Sequence, residues 1–298
     1  MSSSPAPRFE VAGPDGRTLT VRVAGDPRGM PLLIHHGTPG SSLLYEPHAR
    51  DAEELGIRLV AYDRPGYGGS TRNAGRSVAD CAADVVAICD ALGIDRLCTW
   101  GLSGGGPHAL AIAALLPERV AAAATLASVA PFDTDGLDFT AGMGELNVEA
   151  FGASMGTEAE HRAQHERELA SIRSATPATF VEEWRSILGG PDVEVLSEGL
   201  VEFALAQIND GIEPSSDGWF DDDLVFVKSW GFDVAAIRVP VLVWQGEQDL
   251  MVPFAHGRWL AAHVPGAEAR LTPDDGHLTM LVRAFREVHE WLIDRFNG

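Results

Sequence analysis

The sequence has few cysteines. Its 298 residues include only Cys81, Cys89 and Cys98, an odd number without a Cys-x-x-Cys spacing. Such a set fits neither a framework of disulfides nor a zinc site built from cysteine pairs. We expect three reduced cysteines that fill the core, the first two on a helix and Cys98 on a strand.

Positive charge is also scarce. Lysine and arginine together number 22 against 43 acidic residues, which gives a formal net charge of −21. A surface with this balance repels the phosphates of nucleic acids and the headgroups of anionic lipids. We therefore expect neither a nucleic acid nor a membrane surface as a partner. The oligomeric state cannot be read from these numbers.

Long apolar runs are missing as well. No stretch reaches the length of a membrane span without charges, glycine or proline. The first residues, MSSSPAPRFEV, lack the basic start and apolar run of a secretory signal. These two features predict a protein of the cytoplasm.

The sequence does contain short apolar runs that alternate with helical stretches. A turn-rich break separates residues 8–12 from residues 18–23, which indicates an antiparallel hairpin. Runs without polar alternation are typical of strands that are buried on both faces, so we predict an α/β fold with a mostly parallel sheet and helices on both sides. The runs are residues 31–35, 58–62, 97–100, 120–129, 241–244 and 269–271.

The strand pattern stops after Ala130 and resumes at Val241. Between them, residues 161–173 and 179–188 have helical periodicity. A structureless loop of this size would be improbable in a compact domain. We expect an α/β core made of residues 1–130 and 237–298, with a helical cap of residues 131–236 inserted into it.

A glycine-rich motif follows the run at residues 97–100. Residues 101–105 read G-L-S-G-G and precede an alanine-rich helix, which is the strand, turn and helix context of a nucleophilic serine. The turn requires a strained backbone at Ser103, and a side chain at position 101 or 105 would clash with neighbouring backbone. The alternative is a glycine-rich turn with an incidental serine.

A serine hydroxyl becomes a strong nucleophile only beside a base, and the base needs a partner that fixes its tautomer. Asp249 follows the run at residues 241–244, and His277 follows the last predicted strand. Asp133 and Glu247 are the rival acids. His108 lies on the helix behind Ser103, where we expect a buried, hydrogen-bonded histidine.

In this order the motifs resemble those of the α/β-hydrolase superfamily. Residues 36–40, H-G-T-P-G, resemble its oxyanion loop; residues 63–70 resemble its D-x-x-G-x-G-x-S signature, and residues 246–253 its acid loop. The resemblance implies an eight-stranded sheet, with Ser103 as nucleophile, His277 as general base and Asp249 as the acid that orients it.

The same resemblance implies roles for the loops around the serine. The backbone amides of Thr38 and Gly104 would donate hydrogen bonds to the oxyanion. His36 would hold its loop, and Asp63 and Arg64 would be structural ties beneath the site. No metal and no organic cofactor is implied.

Serine at the turn argues against the dehalogenase and epoxide hydrolase branches, which the resemblance says use aspartate there. We expect hydrolysis of an ester or amide bond of a small molecule through an acyl-enzyme on Ser103. The alternatives are a prolyl-aminopeptidase-like peptidase, a lyase or cofactor-independent oxygenase that uses the same triad, and a binding protein without turnover.

The aminopeptidase alternative needs carboxylates that hold a substrate amine. Residues 221–223 and 182–183 are acidic, although we expect acidic runs in so acidic a chain to be solvated. The family's aminopeptidases usually have H-G-G-P-G in the oxyanion loop, and this chain has Thr38 at the third position. Aromatic residues of the cap suit either an apolar pocket or packing onto the core. They are Trp184, Trp219, Phe220, Phe226 and Trp230.

Overall fold

A computed structural model describes residues 6–132 and 134–298. Eight strands in these ranges form one sheet, in the order β1-β2-β4-β3-β5-β6-β7-β8. The strands are β1 (Arg8–Ala12), β2 (Thr18–Gly25), β3 (Met30–His35), β4 (Ile57–Tyr62), β5 (Leu97–Leu102), β6 (Val120–Leu126), β7 (Val241–Gly246) and β8 (Glu268–Thr272). The β1-β2 and β2-β4 pairs are antiparallel and the others are parallel, so the predicted fold class is confirmed.

Helices fill the connections between the strands. The α-helices are α1 (Glu46–Glu54), α2 (Cys81–Leu92), α3 (Gly106–Leu115), α4 (Glu145–Ser154), α5 (Glu158–Ser174), α6 (Pro177–Glu183), α7 (Gly190–Val195), α8 (Glu198–Ile212), α9 (Asp217–Phe226), α10 (Phe254–His263) and α11 (Phe285–Asn297). Short 3-10 turns cover Pro14–Gly16, Val78–Asp80, Ser103–Gly105, Trp184–Ile187 and Val234–Ala236, and a π-helical turn covers Met280–Ala284.

Alternate residues of the central strands face opposite sides of the sheet. Leu33 of β3 packs in an apolar cluster with residues of α2, α3 and α10. Its neighbours Leu32 and Ile34 pack in a second cluster with residues of α1 and α11. The apolar runs of the central strands are therefore buried on both faces, as predicted, whereas the edge strand β8 is exposed or half-buried. The free cysteines are buried at the predicted places, two on α2 and Cys98 on β5.

Two predicted elements differ from the structure. The sixth strand ends at Leu126 and not at Val129, because the next residue, Ala127, turns the chain with a φ of 48°. The predicted helix over residues 179–188 is shorter, since α6 ends at Glu183 and a 3-10 turn follows.

Helices α4 to α9 all lie between β6 and β7. We call the described residues between these two strands the inserted segment. Its apolar cluster includes Ile172, Phe180, Leu205 and Trp219, and Tyr67 from the loop after β4 completes it. The inserted segment thus packs on a loop of the sheet. Within the described ranges, the helices fall short of the length and apolar character that crossing a bilayer requires.

Candidate active site

Ser103 is the first residue after β5 and adopts a φ of 53°. This left-handed conformation costs a residue with a side chain about 1–2 kcal/mol. The turn leaves no space at its two flanking glycines. A Cβ at Gly101 would lie 2.1 Å from the carbonyl oxygen of Gly105, and a Cβ at Gly105 would lie 2.1 Å from that of His35. The backbone strain and the clashes expected from the sequence are both present.

His277 lies in the loop after β8, beside Asp249 in the loop after β7. The distance from Nδ1 of His277 to Oδ2 of Asp249 is 2.8 Å, and both residues are buried. The other oxygen of Asp249 accepts hydrogen bonds from the amides of Met251 and Val252, each at 2.8 Å. Gln245 donates to Oδ2 at 3.0 Å. The carboxylate is thereby fixed with one lone pair toward the imidazole.

Of the two rival acids, the described part of the chain includes only Glu247, which does not make this contact. Glu247 is exposed. Asp133 lies outside the described residues. Because Asp249 has both the burial and the contact, it is the acid that the geometry pairs with His277.

Three influences act on the pKa of His277. Burial lowers it, while the charge and hydrogen bond of Asp249 and the charge of Asp192 raise it, and the pKa ends above its ordinary value. An imidazolium formed during a reaction is therefore stabilised in this site. No hydrogen bond joins Ser103 to His277 among the described residues, and such contacts in ligand-free enzymes often form fully only with substrate.

Asp192 is a residue that the sequence did not single out. It lies on α7 of the inserted segment and is fully buried. Its Oδ1 accepts hydrogen bonds from the amides of Leu278 at 2.6 Å and Thr279 at 3.3 Å, the two residues after His277. An acidic residue in the first turn of a short helix is common, so the sequence carried no signal of this contact.

Thr38 and Gly104 line the same cavity as Ser103. Gly104 is in the first helical turn after the strand, where backbone N–H groups have no partner within the helix. The loop that carries Thr38 passes close to the serine, since a Cβ at Gly37 would lie 3.8 Å from the Cβ of Ser103. Both amides are thus near the place where a bound carbonyl would react.

The acidic run on α9 is not solvated, and that expectation is wrong for two of its members. Asp221 and Asp222 are buried. Asp221 pairs with Arg72 at 2.7 Å. Asp222 pairs with Arg64 at 2.6 Å and with Arg76 at 2.7 Å. Burial of a carboxylate costs less free energy when the group is paired in this way. A run of acidic residues in a sequence does not show whether such partners exist.

Burial alone would raise the pKa of Asp222, but Arg64 and Arg76 outweigh that effect and hold it well below its usual range. The carboxylate therefore stays charged. Burial, and next the charge of Asp222, raise the pKa of Asp223 well above its usual range. The pKa values of these two neighbouring carboxyl groups on α9 are thus shifted in opposite directions.

His36 and Asp63 make structural contacts of the kind that the resemblance implied, and His108 is buried and hydrogen-bonded as its place behind the serine predicted. His36 contacts the carbonyl of Gly37 through Nδ1 at 2.7 Å. Asp63 is buried and accepts a hydrogen bond from the amide of Ser42 at 2.6 Å. His108 is buried, with Nδ1 3.0 Å from the carbonyl oxygen of Gly104.

A cavity of about 320 Å³ opens above Ser103. The inserted segment supplies much of its wall, including Trp184, Trp219 and Phe226 among the aromatic residues of the sequence. The other two aromatic residues do not line this cavity. Phe220 stacks on His161, and Trp230 packs in the core. Carboxyl groups also line the cavity; they belong to Glu149, Glu168, Glu183 and Asp223.

The described residues contain no group of three or more histidine, cysteine, aspartate or glutamate side chains arranged to hold a metal ion. A strained serine, a buried histidine with a raised pKa, a paired carboxylate and two nearby amides can together support nucleophilic attack on a carbonyl.

A family model described as alpha/beta hydrolase fold matches residues 30–284. The chain belongs to this family. The predictions of an α/β-hydrolase and of an enzyme are thereby confirmed, and the family match spans strands β3 to β8, the inserted segment and the candidate site.

Relatives of this hydrolase have different activities. This chain is 30% identical to the non-heme chloroperoxidase of Streptomyces lividans over 254 residues. The aligned region covers 82% of this chain and 83% of that protein. The chain is 26% identical over 267 residues to the proline iminopeptidase of Neisseria gonorrhoeae, 83% of each chain. An esterase structure from Exiguobacterium antarcticum is similar with a TM-score of 0.73, 18% identity and coverage of 95% of this chain and 98% of that one, which shows the shared fold.

Proposed function

We propose that this hydrolase cleaves an ester bond of a small molecule through an acyl-enzyme on Ser103. His277 is the general base, and Asp249 orients it. The observation that carries the proposal is the strained serine that lines the cavity, in a fold where the loops after β7 and β8 hold a buried Asp249–His277 pair at 2.8 Å.

In the first half of the reaction, His277 takes the proton of the Ser103 hydroxyl while the serine oxygen attacks the carbonyl carbon of the substrate. The negative charge that develops on the carbonyl oxygen is stabilised by the amides of Thr38 and Gly104. His277 then gives the proton to the departing alkoxide as the C–O bond breaks.

In the second half, a water molecule loses a proton to His277 and attacks the acyl carbon. The ester bond to Ser103 breaks, the proton returns to the serine oxygen, and a carboxylic acid leaves. The raised pKa of His277 suits both halves, because the imidazolium that forms beside Asp249 is stabilised.

We further propose that residues 131–236 act as a cap over this site and that the protein works in the cytoplasm. The aromatic and aliphatic side chains in the cavity wall, such as Trp219, Phe226 and Ile187, favour an acyl or aryl group of moderate size. A cavity of about 320 Å³ accommodates a small substrate rather than a long chain.

A second candidate is the cleavage of an amide next to a free amine, as in the proline iminopeptidase relative. Glu168 and Asp223 line the cavity and favour it. Burial raises the pKa of Glu168 to about 7, so a bound ammonium group would find a carboxyl whose charge it stabilises. Thr38 in place of the usual second glycine counts against this candidate.

The test compares the wild type and Ser103→Ala on p-nitrophenyl esters of increasing acyl length and on proline p-nitroanilide. Ester turnover that the variant loses supports the first proposal, and the best acyl length gives the size of the pocket. Turnover of the anilide, with a KM that Glu168→Gln raises, supports the second candidate. Equal activity of both proteins removes Ser103 as nucleophile, and a folded but inactive wild type favours a lyase, an oxygenase or a binding protein.

A further inference from the structure

One side chain of the inserted segment reaches the candidate oxyanion loop. Asp222 of α9 is fully buried, and its Oδ2 accepts hydrogen bonds from three donors on the sheet side of the cavity. They are the hydroxyl of Thr38 at 2.7 Å, the guanidinium of Arg64 at 2.6 Å and the hydroxyl of Tyr67 at 2.8 Å. The other oxygen accepts from Arg76 at 2.7 Å.

These contacts fix the loop at several points. Arg64 also donates to the carbonyl oxygens of His36 and Gly37 and to the hydroxyl of Thr38, the last at 2.9 Å. The loop over residues 36–38 is thus bound to Arg64, and Arg64 is bound to Asp222. Because the Thr38 hydroxyl contacts both members of this ion pair, the Thr38 backbone has little freedom to rotate.

The Thr38 side chain is also packed against the other oxyanion donor. A Cβ placed on Gly104 would lie 2.4 Å from Oγ1 of Thr38. The position of the Thr38 hydroxyl therefore sets the gap between the two amides that would hold the oxyanion. A shift of the hydroxyl would change both the direction of the Thr38 amide and its distance from Gly104.

Stability alone is a weak explanation for this cluster. Replacing buried ion pairs by apolar residues of similar size is often neutral or stabilising. A buried carboxylate can instead fix the geometry of the groups that donate hydrogen bonds to it, provided that all of these groups are satisfied. Here the donors come from the oxyanion loop and from the residues behind it.

We propose that Asp222 is a positioning residue of the oxyanion hole and that it holds the Thr38 amide in the direction that a tetrahedral intermediate requires. This inference rests on the proposed function. It makes the inserted segment a structural part of the catalytic site and not only a cover over the substrate. Asp222 acts through Thr38 and does not touch the substrate.

The test uses Thr38→Val and Thr38→Ser. Valine keeps the shape and the backbone amide but removes the hydroxyl that contacts Asp222, whereas serine keeps the hydroxyl. With the best ester substrate, we expect Thr38→Val to lower kcat by a factor on the order of 10 to 100, with KM within about twofold. Thr38→Ser is expected to retain kcat within about threefold.

Asp222→Asn and the double variant with Thr38→Val complete a mutant cycle. If Asp222 acts through the hydroxyl, the two losses in kcat are far from additive. Tyr67→Phe is the matched control, since it removes another donor to the same oxygen but keeps the ring that packs against His36 of the oxyanion loop, and its kcat should stay close to that of the wild type. Inactivation by a phosphonate ester, which needs the oxyanion hole but no turnover, should slow in parallel with kcat.

Several results would overturn the inference. They are equal kcat values for Thr38→Val and Thr38→Ser, additive losses in the cycle, a loss for Tyr67→Phe as large as that for Thr38→Val, or a change confined to KM. The Thr38 and Tyr67 variants decide the matter even if Asp222→Asn does not fold. A wild type without turnover that depends on Ser103 would refute the proposed function first, and the inference with it.

Discussion

Oδ1 of Asp192 accepts a hydrogen bond of 2.6 Å from the amide of Leu278, the residue that follows His277. The carboxylate comes from α7 of the inserted segment, so the loop that carries the histidine is held from the same segment that holds the oxyanion loop. A Cβ at Gly276 would lie 2.5 Å from this carboxylate, which shows how closely the loop is packed on it.

The charge of Asp192 should therefore contribute, after that of Asp249, to the acid limit of the activity. The pKa of His277 is raised in part by Asp192, and only neutral His277 can act as a base. Asp192→Asn keeps an oxygen for the Leu278 amide but removes the charge, so the pKa of His277 falls. We expect the acid limb of the profile of kcat/KM against pH to move to lower pH.

Glu194→Gln is the control for this measurement. Glu194 is on the same helix, but its side chain is 74% exposed, so solvent screens its charge. An acid limb that moves equally in both variants, or that moves to higher pH in Asp192→Asn, would contradict the role of Asp192.

The conformation of Ser103 predicts a conflict between stability and activity. Glycine adopts a φ of 53° without steric cost, whereas the Cβ of alanine makes this conformation unfavourable. Both Ser103→Gly and Ser103→Ala should lose turnover, but Ser103→Gly should have a free energy of unfolding about 1 kcal/mol higher than Ser103→Ala. Urea denaturation of the two variants measures the difference. Equal stabilities would mean that the turn relaxes around alanine.

Gly101→Ala should damage the fold as well as the site. The new Cβ would meet the carbonyl oxygen of Gly105 at 2.1 Å, a contact with backbone that no rotamer can relieve. We expect a loss of at least about 2 kcal/mol in the free energy of unfolding, measured with urea. Gly199→Ala is the control, because the space around Gly199 on α8 is open and alanine favours a helix. A stable Gly101→Ala protein would show that the turn can open.

His35 should make the fold sensitive to acid. Burial, and next the charge of Arg64, lower its pKa to about 3, whereas an unfolded chain keeps the ordinary value of 6.5. Between these values the unfolded state binds a proton that the folded state does not, so the free energy of unfolding falls as the pH falls from about 6.5 towards 3. Each such group contributes about 1.4 kcal/mol per pH unit.

His35→Phe should reduce that slope, whatever it does to stability at neutral pH. We expect the dependence of the unfolding free energy on pH, measured with urea between about pH 4 and pH 6, to decrease by about 1.4 kcal/mol per pH unit. Gly199→Ala, which removes no titratable group and has open space around it, should leave the slope unchanged. An unchanged slope in His35→Phe would mean that His35 takes up a proton in the folded state.

The sequence revealed the parts of the site that depend on local structure. Ser103 could be predicted because a tight turn after a strand demands glycines at fixed distances. Asp249 and His277 could be predicted because residues that follow parallel strands meet at one edge of the sheet.

The contacts of Asp192 and Asp222 could not be predicted in this way. Asp222 contacts Thr38 across 184 positions of the chain, and Asp192 contacts Leu278 across 86. In a chain with a net charge of −21, acidic residues on helices usually face water. The sequence alone does not distinguish a buried carboxylate from a solvated one. Their partners became visible only once the inserted segment was packed against the sheet.

The ion cluster around Asp222 limits how this hydrolase can be re-engineered. Exchanging the inserted segment for that of a relative is an obvious route to new substrates, but Arg64 and Arg76 would remain in the recipient core. A donor segment without a carboxylate at the place of Asp222 would leave two buried cations unpaired, a defect that costs on the order of 3–5 kcal/mol. Successful chimeras should therefore carry that carboxylate over or replace both arginines together with the segment.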